Sequence, residues 1–303
     1  MTGETVPRRV RVTIGIPLYA ARPWIDRIVD NITRNEAPDV EFVLSDQHGL
    51  DDALDVIRHR VDGRARLRSF SSQTRGGWID NYNLLLREAQ GDYLRILSQD
   101  DILPAGSLDH ASAALDRDPA TVLVVGPTDL IDETGEVIWR DPPAPASAAR
   151  PIGWATAVDA LLVFAGSHNV SLGVFRRAIV SAAGLSIPHT EGDSGLSVRA
   201  LLFAVALRGR VCYEPGYVSR RCVHPSSYTA RHWSRSPGDE WRRTRSYWQT
   251  GASLWRAAVT TRSARWLASP ILGAATGHLV ARRALQRFSA EVRVVTARQR
   301  ATR

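Results

Sequence analysis

The stretch Asp92-Tyr93-Leu94-Arg95-Ile96-Leu97-Ser98-Gln99-Asp100-Asp101 decides the fold. It begins as a strand, because Leu94, Ile96 and Leu97 are apolar and Tyr93 favours an extended backbone. It ends in two adjacent carboxylates, and Pro104 and Gly106 break the run before a helical pattern opens at Ser107. A buried strand that delivers Asp-Asp at its C-terminal end puts polar groups where open α/β sheets bind ligands. Two neighbouring carboxylates repel unless positive charge lies between them, and a hard divalent cation with oxygen ligands supplies it. The plainer alternative is a polar turn in which Asp100 or Asp101 caps the following helix.

Working upstream, residues 10–16 read as a strand closed by Pro17, with Tyr19 and Pro23 in the loop after it. Residues 24–35 carry apolar side chains at helical spacing (Ile25, Ile28, Val29, Ile32). A second strand over 41–45 ends in Asp46, a helix follows over 50–61, and a short strand over 66–70. Gly76-Gly77 opens a loop, and a helix over 78–89 stops before Gly91. Strands alternating with helices predict βαβ units and a mostly parallel sheet. Right-handed crossovers then bring the strand ends at Pro17, Asp46 and Asp100 to one edge.

Downstream, the pattern predicts a helix over 107–117, a strand over 121–126, and a hairpin joining Leu130-Ile131 to Val137-Ile138. Residues 141–149, rich in Pro and Ala, read as a boundary or a mobile lid. A helix over 154–164 follows, then a short strand and helix over 174–184 with Gly184 as the C-terminal cap. A helix over 194–207, a strand over 209–213 and a loop over 220–229 come next. Helices run from residue 239 to about 294.

An apolar content of 44% and a charged content of 23% are globular values, and 303 residues can bury a full core. All 39 basic residues are arginine. The net charge of +8 is a C-terminal property: residues 255–303 hold ten arginines against one glutamate. Cys212 and Cys222 lie ten residues apart, which makes neither a zinc site nor a disulfide framework. The first eleven residues are polar and include Pro7-Arg8-Arg9, unlike a signal peptide, and no run of about 18 apolar residues predicts a transmembrane helix. A cytoplasmic protein is expected, or one peripheral at the inner face of the membrane.

The order of these elements resembles the family 2 glycosyltransferases, which have the GT-A fold, over roughly residues 10–230. Residues 12–19 look like that family's first strand ending in Pro-x-Tyr. Residues 42–52 look like its second strand, with Asp46 kept and Gln47, His48 and Gly49 in place of the rest of an Asp-Asp-Gly-Ser run. Gly77, Asn83, Ala89, Gly91, Asp92 and Tyr93 resemble its Gly…Asn…Ala-x-Gly-Glu-Tyr helix. Residues 97–101 resemble its Leu-Asp-x-Asp-Asp, with Ser98 in place of the first Asp. The resemblance implies an α/β chain with a Rossmann-like, mostly parallel central sheet flanked by helices. It also implies a nucleotide-sugar-binding half over 1–130 and an acceptor-side half over 131–235. Residues 236–303 are left as a helical, arginine-rich extension.

The function it implies is metal-dependent transfer of a sugar from a UDP- or dTDP-sugar to an acceptor hydroxyl, with inversion. A divalent cation, Mn²⁺ or Mg²⁺, would stabilise the departing diphosphate. The resemblance makes Asp101 the direct metal ligand, with Asp100 on the ribose or on the metal through water. His224 is a further metal or phosphate ligand, from a loop Arg221-Cys222-Val223-His224 resembling the family's Arg-x-His with one extra residue. Pro17, Tyr19, Asp46, Arg75 and Gly77 are expected at the nucleotide sugar, Asp46 accepting the imino N–H of uracil or thymine. Glu191-Gly192-Asp193 with Leu196 and Arg199 keeps the family's Asp-x-x-Leu-x-x-Arg, which makes Asp193 the base, with Glu191 in reserve. His189 and His168 are weaker candidates, with His168-Asn169 placed by chain position at the acceptor pocket. The acceptor is a small molecule, a glycan or a lipid-linked molecule.

Other readings compete. Gly192-Asp193-Ser194-Gly195 also spells a chymotrypsin-like nucleophile segment, but that needs an all-β double barrel and an upstream His segment, both missing from this pattern. Asp-Asp after a strand also suits a nucleotidyltransferase, which would release pyrophosphate. The altered Ser98 and Gly192 keep a retaining glycosyltransferase open. Trp255, Trp266, Leu267, Ile271 and Leu272 among Arg256, Arg262 and Arg265 would suit an anionic membrane. In a non-catalytic protein the same surface would serve membrane or nucleic-acid binding. For the enzyme no nucleic-acid partner is expected.

Overall fold

The computed structural model describes residues 9–46, 49–71, 77–141, 172–187, 189, 196–206 and 208–225. Arg75, Glu191, Asp193, His168, the 141–149 loop beyond Asp141, the 154–164 helix and the arginine-rich extension lie outside the described residues.

Two sheets carry the fold. The larger is built from β1 (Val12–Leu18), β2 (Val40–Asp46), β3 (Arg66–Ser71), β4 (Tyr93–Ile96), β5 (Thr121–Val125), β8 (Val174–Arg176) and β9 (Arg210–Tyr213). Its order is β3-β2-β1-β4-β8-β5-β9. Strands β1 to β4 pair in parallel, as do β5 and β9, and β8 runs antiparallel between β4 and β5. The smaller sheet has the order β10-β6-β7, from β6 (Thr128–Ile131), β7 (Val137–Trp139) and β10 (Ser219–Cys222).

Helices cover both faces of the larger sheet. They are α1 (Ile25–Arg34), α2 (Ala53–Arg60), α3 (Trp78–Glu88), α4 (Ser107–Arg117), α5 (Arg177–Ala182) and α6 (Leu196–Ala206). The inner strands β1, β2, β4 and β5 are buried on both sides, so their residues divide between two cores, largely by parity. Phe42 and Leu44 pack with Ile14, Ile28, Ile32 and Ile57 on one face. Val43, between them, packs with Leu85, Leu94 and Phe175 on the other. Gly15 on β1 lies under α3, where a Cβ would come within 3.2 Å of the Leu85 Cβ.

Three local rules explain element ends. The α5 helix closes with Gly184 at φ +58, where Leu185 N–H donates to Val180 O (2.9 Å) and Gly184 N–H to Ser181 O (3.3 Å), a Schellman motif. The hairpin between β6 and β7 is wound on Asp132, whose Oδ1 accepts from Thr134 N, Thr134 Oγ1 and Glu136 N. Helix α4 starts after Gly106, at φ +77, so neither Asp100 nor Asp101 caps it.

The structure corrects two expectations. The first strand runs through Pro17 to Leu18 instead of closing before it. Tyr93 N–H bonds Arg11 O and Leu97 N–H bonds Gly15 O, so the odd-numbered residues of β1 face β4. That pairing ends at Gly15, so the N–H that Pro17 lacks falls where β4 has stopped. Second, residues 219–222 form a strand, not the start of a loop. Ser-Arg-Arg-Cys has no strand pattern of its own; parallel pairing to β6 and a bridge between Ile102 and Arg220 impose it.

Candidate active site

The C-terminal ends of β1, β2 and β4 meet as the crossovers require. Leu18 stands opposite Asp46 in register. Past β4 the chain turns through Ser98, Gln99, Asp100 and Asp101 beside the end of β1, and Gln99 reaches across to Tyr19 with both amide atoms.

The first half of this edge comes from β1, β2 and α3. Asp46 is buried and its Oδ1 accepts from Gly49 N (3.1 Å). Tyr19, at the rim, is 53% exposed. Gly77 flanks α3 and donates its N–H to Asp80 Oδ2 (2.9 Å). From the same helix Asn81 Nδ2 donates to Leu18 O (3.1 Å), fastening α3 to the end of β1. Tyr82 bonds Ser98 and faces Asp100 and Asp101, and desolvation is the main reason its hydroxyl is pushed up to about 12.

The two carboxylates differ in burial and in partners. Asp101 is buried, its Oδ1 accepts from Cys222 N (2.9 Å), and its carbonyl accepts from Asn31 Nδ2 (2.9 Å). Burial first, then the charge of Asp100, raises its pKa from 3.8 to about 7, against the pull of the Cys222 N–H, Arg221 and Arg95. Arg95, fully buried on β4, sets a permanent positive charge close to Asp101 and Tyr82. Asp100 is less buried and meets the same segment two residues further on. Its Oδ2 lies 3.0 Å from His224 Nε2.

The smaller sheet delivers His224. Parallel pairing of β10 with β6 carries the chain to residue 222, and Val223 N–H then bonds Ile131 O (2.9 Å). His224 is buried, its ring 5.0 Å from that of Trp24, and Nδ1 lies 3.9 Å from Glu133 Oε1. Arg27 secures both sides of the pair. It donates to Asp100 O (2.6 Å) and Glu133 O (2.7 Å) while lying over the Trp24 ring (5.1 Å).

An oxygen and a nitrogen 3.0 Å apart suit neighbouring positions on an octahedral ion with bonds of about 2.1 Å. Among the described residues no group of three or more His, Cys, Asp and Glu side chains forms a cage. A concavity lined by Arg9, Arg11, Asp39, Asp92, Tyr93 and Asp116 lies at the opposite end of β1 and β4. Four of its charges pair with one another, Arg9 with Asp92 and Arg11 with Asp116.

Pro17, Tyr19, Asp46, Gly77, Asp100, Asp101 and His224 therefore belong to one edge or its immediate flank. Arg75, Glu191 and Asp193 lie outside the described residues. The chain leading to them is fastened: Asn83 and Ile187 exchange two bonds (Asn83 Nδ2 to Ile187 O, 3.0 Å; Ile187 N to Asn83 Oδ1, 2.7 Å). His189 Nε2 lies 3.1 Å from Asp80 Oδ1. Sequence reading missed Trp24, Arg27, Tyr82 and Glu133. Only Tyr82 carried a signal, as a polar-tipped aromatic on the helix that precedes the Asp-Asp strand.

A family model described as glycosyl transferase family 2 matches residues 13–170, just over half of the chain. An uncharacterized glycosyltransferase of Haemophilus influenzae is 26% identical over 98 residues, which is 32% of this chain and 39% of that protein. The match thus spans well under half of that relative. Among solved structures, Staphylococcus aureus TarS residues 1–349 in complex with UDP-GlcNAc superposes with a TM-score of 0.64 at 13% identity, over 92% of this chain and 73% of that one. The mannosyltransferase PcManGT of Pyrobaculum calidifontis, in complex with GDP-Man and Mn²⁺, superposes with a TM-score of 0.53 at 19% identity, over 93% and 90%.

Proposed function

This chain belongs to glycosyl transferase family 2 with a GT-A fold, and on that premise we propose that it moves a glycosyl group from a UDP- or dTDP-sugar to an acceptor hydroxyl. The observation that carries the reading is the Asp100–His224 pair at the C-terminal edge of a parallel sheet, beside an exposed Tyr19 and a buried Asp46. Complexes of structural neighbours with UDP-GlcNAc and with GDP-Man and Mn²⁺ support a nucleotide-sugar donor and a divalent ion.

Asp100 and His224 would hold Mn²⁺ or Mg²⁺. This revises the expectation from sequence, which gave that position to Asp101. Asp101 is buried and one of its oxygens is committed to the Cys222 N–H, so its part is to dock the strand that presents His224. Two protein ligands are enough for an ion that also takes substrate phosphate oxygens. The ion would supply positive charge to the leaving diphosphate. Asp46 would meet the base and Tyr19 would lie against it. Asp193 would accept the acceptor proton as the C–O bond to the diphosphate breaks, giving inversion in a single displacement. Glu191 is the alternative base.

A thermal-shift panel tests the reading, with UDP, dTDP, GDP and CDP, each with and without Mn²⁺. Ligand at about 100 times its dissociation constant adds roughly 2.7 kcal/mol of stability. The expected outcome is a shift with UDP or dTDP that needs the metal and disappears in Asp100→Ala. A shift that survives EDTA unchanged refutes the metal assignment. Release of pyrophosphate instead of a nucleoside diphosphate during turnover would make the protein a nucleotidyltransferase.

A further inference from the structure

We infer that Gln99 is a positioning residue for nucleotide binding: its side-chain amide fixes the backbone of Tyr19, and through it the loop that meets the nucleoside, to the Asp100-Asp101 turn. The inference rests on the nucleotide-sugar reading above.

Gln99 occupies the variable position between Ser98 and Asp100, where nothing in the motif demands an amide. In the fold it bonds Tyr19 twice. Tyr19 N–H donates to Gln99 Oε1 at 2.9 Å, and Gln99 Nε2 donates to Tyr19 O at 2.9 Å. Only one orientation of the amide makes both bonds. The pair has the pattern of one rung of sheet, supplied by a side chain, and it lies where backbone pairing of β1 with β4 has already ended at Gly15.

The loop needs such a tie. Ala20, next to Tyr19, has φ +45, a left-handed conformation disfavoured for a residue with a Cβ and kept only where the surroundings over-determine it. Arg22 N–H, bonded to Asp51 Oδ2 (2.9 Å), holds the far side of the loop to the start of α2. Gln99 holds the near side. Tyr19 therefore has a fixed backbone in a residue that is 53% exposed, pre-organised to meet a nucleobase. The anchor is one residue from Asp100, so base and diphosphate are placed by a single rigid unit.

A double-mutant cycle tests this, using the full chain, UDP as probe and saturating Mn²⁺, with dissociation constants from calorimetry. Gln99→Ala and Tyr19→Ala should each weaken UDP about tenfold. If Gln99 acts by placing Tyr19, the double variant should be no more than about twofold weaker than the worse single variant, because the second change removes nothing further. Losses that multiply to about a hundredfold overturn the inference, as does an unchanged UDP affinity in Gln99→Ala. Gln99→Glu is the second variant, in case the alanine variant does not fold. It keeps an acceptor for Tyr19 N–H but turns an oxygen toward Tyr19 O, so it too should weaken UDP, and wild-type affinity would overturn the inference. Wild-type protein that binds no UDP with Mn²⁺ would overturn the nucleotide reading itself, a failure distinct from full binding by the Gln99 variants.

Discussion

Replacing Asp101 by Asn separates the structural work of this carboxyl from its charge. The change keeps an oxygen for the Cys222 N–H, which donates to Oδ1 at 2.9 Å, and removes the ionisation. In the folded, metal-free protein the group titrates at about 7, raised from 3.8 mainly by burial and then by Asp100. A raised carboxyl means that the native state holds a proton the unfolded chain has released. Its stabilising contribution is complete below about pH 4 and is lost as pH rises through about 7. At about 1.4 kcal/mol per unit the whole effect is on the order of 4 kcal/mol. The Asn variant has no such group to titrate. Urea unfolding in EDTA at half-unit steps from pH 4 to 8 should show wild type losing ground to the variant by a few kcal/mol, most of it between pH 5 and 7. Above pH 7 the difference should be flat. A wild-type-minus-variant difference that does not change with pH would refute the burial argument, and with it the division of roles between Asp100 and Asp101.

Other outcomes follow from single contacts. Asn83→Ala leaves the N–H and C=O of the buried Ile187 without their partners, so unfolding should cost about 2–4 kcal/mol less, read from urea curves. Gly91→Ala would bring a Cβ to 2.6 Å from Thr13 N and 2.8 Å from Val12 C, both backbone; a loss of at least about 1–3 kcal/mol is expected, and unchanged melting would contradict the packing. His224→Ala should raise the Mn²⁺ concentration needed for UDP binding at least about tenfold, measured by spin resonance of free Mn²⁺, and should also lower melting without metal, because the buried ring packs on Trp24. Burial pushes the Cys222 thiol up to about 11 and raises Cys212, so neither should react with a disulfide reagent at pH 8 until the chain is unfolded.

The alternation of strand and helix, and the edge on which Pro17, Asp46 and Asp100 gather, were legible because burial on a parallel sheet writes itself locally as apolar runs and breaks. Asp-Asp after such a run marks the site for the same reason. Local pattern also predicted the Gly184 cap and the Asp132 hairpin, since both are made within a few residues. It could not show which of two adjacent carboxylates faces outward. That depends on Cys222, whose N–H takes Asp101 from 121 residues away. Nor could it show β10, whose Ser-Arg-Arg-Cys becomes a strand only beside β6 and Ile102. Arg27 and Gln99 are ordinary polar residues in sequence, and their parts exist only because α1, the β1 loop and the Asp100 turn are brought within hydrogen-bond reach. Layers and edge can be read along the chain, because backbone pairing and burial act at short range within each element. The contacts at that edge emerge only in the folded chain, because they join side chains across long separations, of which chain periodicity holds no record.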